Sequence, residues 1–340
     1  MIRRINLTKI FAIASISLSL LTVACNGKET KIAHIGSSAG ESGNFLGITA
    51  TAIKLGLIDE EFAKIGWKAD YTGFATGIAV NEGIVAGDVD ISTLGDVPCA
   101  VGISNNIGLT WIGVGLRSYN STFVVRKDSP IQSVSELNGK KVGFGVGTTT
   151  QYLFESVIKE FSLDKNSIEV LNMVHSTAIN ALLTGNVDVI LLGENQAKSL
   201  EADGEARIIL NTRDWPQWAP MDTIVARTKF AKEHPEVLVA FHKALIRARS
   251  EFIKNPEEYY VNLSARQIEA HPELGDSIYN IDGGKFENLI AYVPEDNIVR
   301  EQRLFDFLES VGRITVHKNV RDSLDNTFYE QAAAALGVTK

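Results

Sequence analysis

Hydroxyl residues beside glycines recur along this chain, and together they could hold a small anion. Ser37 and Ser38 follow Gly36, Thr76 precedes Gly77, and Thr148, Thr149 and Thr150 follow Gly147. Where an extended run turns into a helix, such residues offer hydroxyl protons beside the free N–H groups of the first helical turn. The helix dipole favours negative charge at that place, so no dedicated Lys or Arg is required. His175, in His175-Ser176-Thr177, occupies a similar position. Asp96 and Glu194 each close a Gly-acid pair at the start of a helix, and if they face a ligand they suit an ammonium group. Tyr119 (beside Arg117) and Trp218 (with Trp215) could wall a pocket. Each candidate has a structural alternative. Ser, Thr and Asp cap helices, the histidine can be a satisfied internal residue, and the two tryptophans can pack on each other. Three successive threonines exceed what one cap uses, so that turn is the strongest candidate for ligand contact.

Other chemistries find less support. The six histidines are scattered, with no i,i+4 pair and no Cys partner, so neither a metal site nor a cofactor is expected. Gly36-Ser37-Ser38-Ala39-Gly40 fits the Gly-x-Ser-x-Gly pattern of a nucleophile elbow, with His271 and His317 downstream. Glu41-Ser42-Gly43, however, lengthens the sharp turn that such an elbow needs. A serine hydrolase using Ser38 is therefore a minor alternative, and no catalytic residue is assigned.

These residues are positioned by alternating elements. Extended runs are expected at 31–35, 68–74, 91–94, 109–114, 141–145, 168–173 and 187–192. Helices are expected at 44–57, 77–86, from about Pro98, at 151–161 and at 176–184. Ten residues, Gly87 to Asp96, recur 98 positions later as Gly185 to Glu194, each copy running Gly, β-branched strand, Gly-acid. Alternation and repeat together predict an α/β protein of two similar lobes, with parallel-rich sheets flanked by helices and a ligand at the carboxyl ends of the strands. The chain is expected to cross between lobes at 117–126 and again at 222–226, forming a two-strand hinge that can close on a ligand. The expected division is 31–117 with 223–340 as the first lobe and 118–222 as the second. Past the second crossing the chain reads as mostly helical. Pro235 suits a first turn, and Leu238, Phe241, Leu245, Ala248 and Phe252 form one stripe that ends before Asn255-Pro256.

The first 24 residues read as a bacterial lipoprotein signal. Arg3, Arg4 and Lys9 precede the apolar stretch Phe11–Ala24, which is too short to span a membrane comfortably. Small Ala24 before Cys25 marks the cleavage and lipidation point, and residues 25–30 form a tether. The chain is thus expected outside the cytoplasm, held to a membrane by acyl chains. The formal charge is −8, and loss of the signal removes three bases and no acids, leaving −11. An acidic chain without basic runs makes nucleic acid an unsuitable partner. Cys99 has no partner for a disulfide once Cys25 is lipidated, and it reads as a small buried residue.

Several motifs resemble the nitrate/sulfonate/taurine-type solute-binding proteins. In order they are Phe74-Ala75-Thr76-Gly77, Ala86-Gly87-Asp88-Val89-Asp90-Ile91, Gly95-Asp96-Val97-Pro98, Val124-Val125-Arg126-Lys127-Asp128-Ser129-Pro130-Ile131, Ser135-Glu136-Leu137-Asn138-Gly139-Lys140-Lys141-Val142 and Thr184-Gly185-Asn186-Val187-Asp188-Val189. The resemblance implies a type 2 periplasmic-binding fold that acts as a monomer and hands its ligand to the permease of an ABC importer. The implied ligand is a small anion or zwitterion such as a sulfonate, taurine or nitrate. Carried over by position, its ligand-contacting residues are Ser37, Ser38, Thr76, Asp96, Thr148, Thr149, His175 and Glu194. This chain departs from the pattern at Leu192-Gly193-Glu194-Asn195, where many members have an aromatic, an acid and proline. A thiamine-precursor pyrimidine, bound by relatives of similar architecture, is the alternative ligand and would need stacking surfaces at Trp215, Trp218, Tyr119 or Phe74.

Overall fold

The computed structural model describes residues 30–38, 45–254 and 289–338. The signal segment, Cys25, nearly all of the tether, Ala39, Gly40 and His271 lie outside them.

Two five-stranded sheets organise the chain. The first half contributes β1 (Lys31–Ser37), β2 (Trp67–Gly73), β3 (Ile91–Gly95) and β4 (Leu109–Leu116). The next five strands are β5 (Ser121–Arg126), β6 (Lys141–Phe144), β7 (Glu169–Asn172), β8 (Val189–Gly193) and β9 (Ala206–Asn211), and β10 (Asp222–Arg227) follows. The sheet orders are β2-β1-β3-β10-β4 and β7-β6-β8-β5-β9, the same plan twice. In each sheet the fourth strand is the antiparallel one, and it is the strand that the chain lays down just after crossing from the other sheet. Central strands are apolar on both faces, as expected for sheets covered by helices on either side. Phe123 and Val125 face one core while Val124 faces the other.

The helices follow from the same patterns. They are α1 (Gly47–Lys54), α2 (Leu57–Ala63), α3 (Gly77–Ala86), α4 (Asp96–Ser104), α5 (Thr149–Glu160), α6 (His175–Leu183), α7 (Glu194–Ala202), α8 (Thr228–Glu233), α9 (Pro235–Lys254), α10 (Glu295–Ser310) and α11 (Thr327–Leu336). The expected helix at 44–57 is two helices, because Gly56 takes a left-handed conformation (φ +66°) and re-aims the chain. The α9 stripe is buried as expected and packs with α1, α2 and α11 on one face of the first sheet, while α3, α4 and α10 cover the other. The second sheet lies between α5 on one face and α6 with α7 on the other.

The opening of the repeated phrase is matched in its backbone and its bonds. Gly87 and Gly185 both adopt left-handed backbone (φ +88° and +76°) after their helices. Asp90 donates its N–H to the His34 carbonyl (2.9 Å) and accepts the His34 N–H on its carboxylate (3.0 Å). Asp188 makes the same pair with Lys141, at 3.0 and 2.8 Å. The repeat therefore pins the start of one strand to its parallel neighbour in both sheets.

The first crossing is the short run 117–120. Residues 222–226 are not the second crossing but β10 itself. The return path is 212–221, two short 3-10 turns after β9, a strand with no counterpart among the expected elements. The two paths touch: the Tyr119 N–H donates to the Pro220 carbonyl (2.9 Å), and the Ser121 N–H to the Thr212 hydroxyl (2.9 Å).

Candidate functional site

The ends of β1, β2, β3, β6, β7 and β8, with the helix starts that follow them, carry most of the candidate residues. Ser37 ends β1 and is fully buried, and the Ser38 N–H donates to the Thr93 carbonyl at 3.2 Å. Thr76 caps α3: its hydroxyl accepts the Ala79 N–H at 3.2 Å. His175 is the first residue of α6, and its side chain lies outside the described residues.

At the triple threonine, the three hydroxyls do different work. Thr148 donates to the Gly145 carbonyl (2.6 Å) and meets the Thr150 hydroxyl at 2.7 Å, so both side chains close the turn they belong to. Thr149, the first residue of α5, instead reaches across to α4 and donates to Asp96 Oδ1 at 2.8 Å. Gly95 makes that approach possible, since a Cβ there would stand 2.5 Å from the Thr149 hydroxyl oxygen. Tyr152, one turn further along α5, packs edge-on against Phe307 of α10 at 5.1 Å. The start of α5 is therefore seated on the other sheet's helices.

Asp96 is 1% exposed and fully engaged. Oδ1 also accepts the Val97 N–H (2.8 Å), and Oδ2 accepts the Met221 N–H (3.1 Å) with Arg300 at 3.5 Å. Burial pushes its carboxyl above the usual range, opposed by Arg300 and by the bonds from Thr149, Met221 and Val97. Arg300 of α10 donates to the carbonyls of Arg117 (3.2 Å) and Ala219, one on each crossing. Asn297, one turn earlier, donates to the Arg117 carbonyl as well, at 3.2 Å, and Arg117 pairs with Asp296. Tyr119 carries its hydroxyl to Thr149. Burial first, then the charges of Asp96 and Asp222, push that phenol well above its ordinary value.

Glu194 occupies the matching place in the second sheet, but its neighbours are different. Its carboxylate accepts from Asn120 (2.8 Å), Asn211 (2.8 Å) and twice from Arg213 (2.8 and 3.0 Å), and its own N–H donates to the Asn120 carbonyl (3.0 Å). The donors come from the first crossing (Asn120), the end of β9 (Asn211) and the return path (Arg213). Trp218 is buried in the core beside α5, stacked on Trp215 at 4.5 Å with the rings 2° from parallel. The tryptophans pack locally. His317, the hydrolase candidate, is exposed and bonded to Glu309 at 2.7 Å.

Asn120, Asn211, Arg213, Asp222, Arg300 and Glu301 were not among the sequence candidates. Asn211 ends the unanticipated β9 and Arg213 follows it. Arg300 and Glu301 lie on a late helix with nothing local to mark them.

Two like-built sheets, each with one antiparallel strand from the far side of a double crossing and helix starts meeting between them, define the periplasmic-binding-protein fold. The chain belongs to the NMT1/THI5-like family, whose model matches residues 62–259, more than half of it. It is 30% identical over 212 residues to the taurine-binding periplasmic protein of Escherichia coli (strain K12). That match takes in 62% of this chain and 65% of the relative, so it spans just under two thirds of that protein. A Bacillus subtilis (strain 168) protein named for binding aliphatic sulfonates is 25% identical over 287 residues, covering 82% of each chain. Among solved structures, SsuA, a periplasmic sulfonate-binding protein from Methylobacillus flagellatus KT, superposes with a TM-score of 0.73. It covers 91% of this chain and 95% of that one at 22% identity, a likeness of fold.

Proposed function

We propose that this chain is the extracytoplasmic binding component of an ABC importer, and that it captures a sulfonate-type ligand between its two lobes without chemical change. The Asp96–Thr149 bond carries the reading. It joins the start of α4 in one lobe to the start of α5 in the other, where a ligand between the lobes would be enclosed. Family membership and the names of the relatives support the ligand class. The helix starts around the interface supply N–H groups suited to an oxyanion, since the first four of any helix lack intrahelical partners. In this reading Ser37, Ser38, Thr76 and His175 line the cleft, Asp96, Tyr119 and Thr149 close it, and the permease receives the closed form.

The pyrimidine alternative needs an open aromatic wall. Trp215 and Trp218 are stacked on each other, and Phe74 packs into the core beside α3. A thermal-shift and calorimetric screen of taurine, alkanesulfonates, nitrate, bicarbonate and a pyrimidine precursor separates the readings, because a ligand of the folded state raises the melting temperature. Sulfonates should give the largest shifts. A response to the pyrimidine alone would replace this reading with the alternative.

Membrane attachment through Cys25 belongs to the same proposal. Metabolic labelling with a radioactive fatty acid should mark the wild type, and Cys25→Ser should abolish the label. An unlabelled wild type would leave a free extracytoplasmic protein.

A further inference from the structure

Asp222 is the first residue of β10 and lies level with Gly95 of β3 and Leu116 of β4. Ser37 pairs with Thr93, and Thr93 with Ile224, while Gly95 pairs with Asp222. Paired residues share a face and residues two apart repeat it, so Ser37, Thr93, Gly95 and Asp222 occupy one face of the first sheet. All four stand at the end where the parallel strands finish. Asp222 is 5% exposed, and its Oδ2 has no hydrogen-bond partner among the described residues. Room for that oxygen comes from Gly115, where a Cβ would stand 2.6 Å from it, beside a register shift between Asp222 and Thr223.

Charge around the neighbouring Asp96 is out of balance, since Asp222 and Glu301 both feel it. Asp96, Asp222 and Glu301 are all buried, and both Glu301 oxygens are likewise without partners. Arg300 is the cation beside Asp96, and it is committed to the Arg117 and Ala219 carbonyls. Burial, reinforced by the charge of Asp96, pushes Asp222 and Glu301 well above the ordinary carboxyl range. The Tyr119 hydroxyl, bonded to Thr149, feels the charges of Asp96 and Asp222. An unpaired buried acceptor is costly, and a cation delivered with the ligand would remove the cost.

We propose that Asp222 receives a cationic nitrogen of the ligand, so that the cleft selects an aminoalkanesulfonate over an alkanesulfonate lacking the amine. The inference rests on the sulfonate-binding reading above. A site built to bond a substrate N–H rejects the analogue without it, because the polar group is then left unpaired.

Isothermal titration of taurine and of ethanesulfonate, which differ by the ammonium group, tests this in the wild type and in Asp222→Asn. The wild type should bind taurine at least 30-fold more tightly. Asp222→Asn should lose at least 30-fold for taurine and less than threefold for ethanesulfonate. Its melting temperature without ligand should rise, since an uncompensated buried acid has been removed. A variant that weakens both ligands equally, or neither, would overturn the assignment. So would a wild type that binds ethanesulfonate as well as taurine, and the sulfonate reading would then still stand. Failure of both compounds to bind the wild type would sink that reading and this inference together.

Discussion

Gly95-Asp96 and Gly193-Glu194 are the same pair in the two copies of the repeat, yet the two acids meet entirely different partners. A Cβ on Gly95 would collide with the Thr149 hydroxyl of the other lobe, whereas one on Gly193 would meet nothing within 4 Å. Asp96 takes a bond across the interlobe contact, while Glu194 spends its carboxylate on Asn120 and Arg213 of the crossings and on Asn211 at the end of β9. One acid is bonded across to the other lobe and the other is tied to the residues around the crossings. Duplicated sequence thus set two equivalent positions, and the partners that each met made them different.

Glu194→Ala should expose the difference most strongly. It strands the Asn120 side-chain donor in a buried place and frees Arg213, at a cost of about 1–3 kcal/mol of stability read by chemical denaturation. Ligand affinity in the folded fraction should change much less. A large loss of affinity at unchanged stability would reverse the roles given to the two acids. Gly95→Ala should do the converse, weakening ligand binding at least tenfold, about 1.4 kcal/mol, while the melting temperature barely moves. Gly193→Ala is its control and should be silent in both assays, because its backbone (φ −62°, ψ 146°) accommodates any residue. Thr149→Val removes the donor to Asp96 at nearly constant volume and should weaken binding by about 1–2 kcal/mol, with Thr149→Ser restoring most of it. Equal affinity in the two variants would remove this bond from the closure mechanism.

The smallest effect is one of pH. Asp96, Asp222 and Glu301 have folded values raised by burial above the ordinary carboxyl value of about 4. Between that value and their raised ones the folded chain holds more protons than the unfolded chain. Their contribution to stability is therefore complete below the unfolded value and is lost as pH rises through the folded ones. The ligand-free melting temperature should rise by a few degrees as pH falls from 8 to about 5.5, and Glu301→Gln should flatten the rise. Glu60 acts oppositely and at lower pH. Hydrogen bonds from Arg247 and Lys64 hold it at about 2, so its contribution is present above its ordinary 4.5 and lost on acidification toward 2. A melting temperature that falls steadily from pH 8 would mean that the buried acids are not felt.

The sequence expressed the elements well where local chemistry sets them. Thr76 and Gly87 bracket α3 at the expected 77–86, and the α9 stripe is buried from Leu238 to Phe252, while the stop expected at Asn255-Pro256 lies outside the described residues. It expressed the second crossing poorly. Ala206–Asn211 is a six-residue run without clear alternation, and β10 looks like a connector until its two neighbours in the sheet are known. The site was legible as a set of places and not as a set of roles. That Thr149 would leave its own turn while Thr148 and Thr150 stay in it depends on Asp96, 53 positions away. The three residues that donate to Glu194 come from the first crossing, the end of β9 and the return path, which only the finished fold brings together.

The exchange of antiparallel strands between the sheets bears on how the chain is made. Leu94 of β3 waits for Thr223 of β10, 129 residues later in the chain, before that edge of its strand is paired. During synthesis the first lobe therefore has a gap between β3 and β4 until the whole second lobe has emerged. Contacts of such sequence separation form slowly, because loop closure precedes any gain from them. A nascent chain stopped after β9 would hold a complete second sheet beside an unfinished first one. Such a chain cannot close its first sheet until its last third arrives.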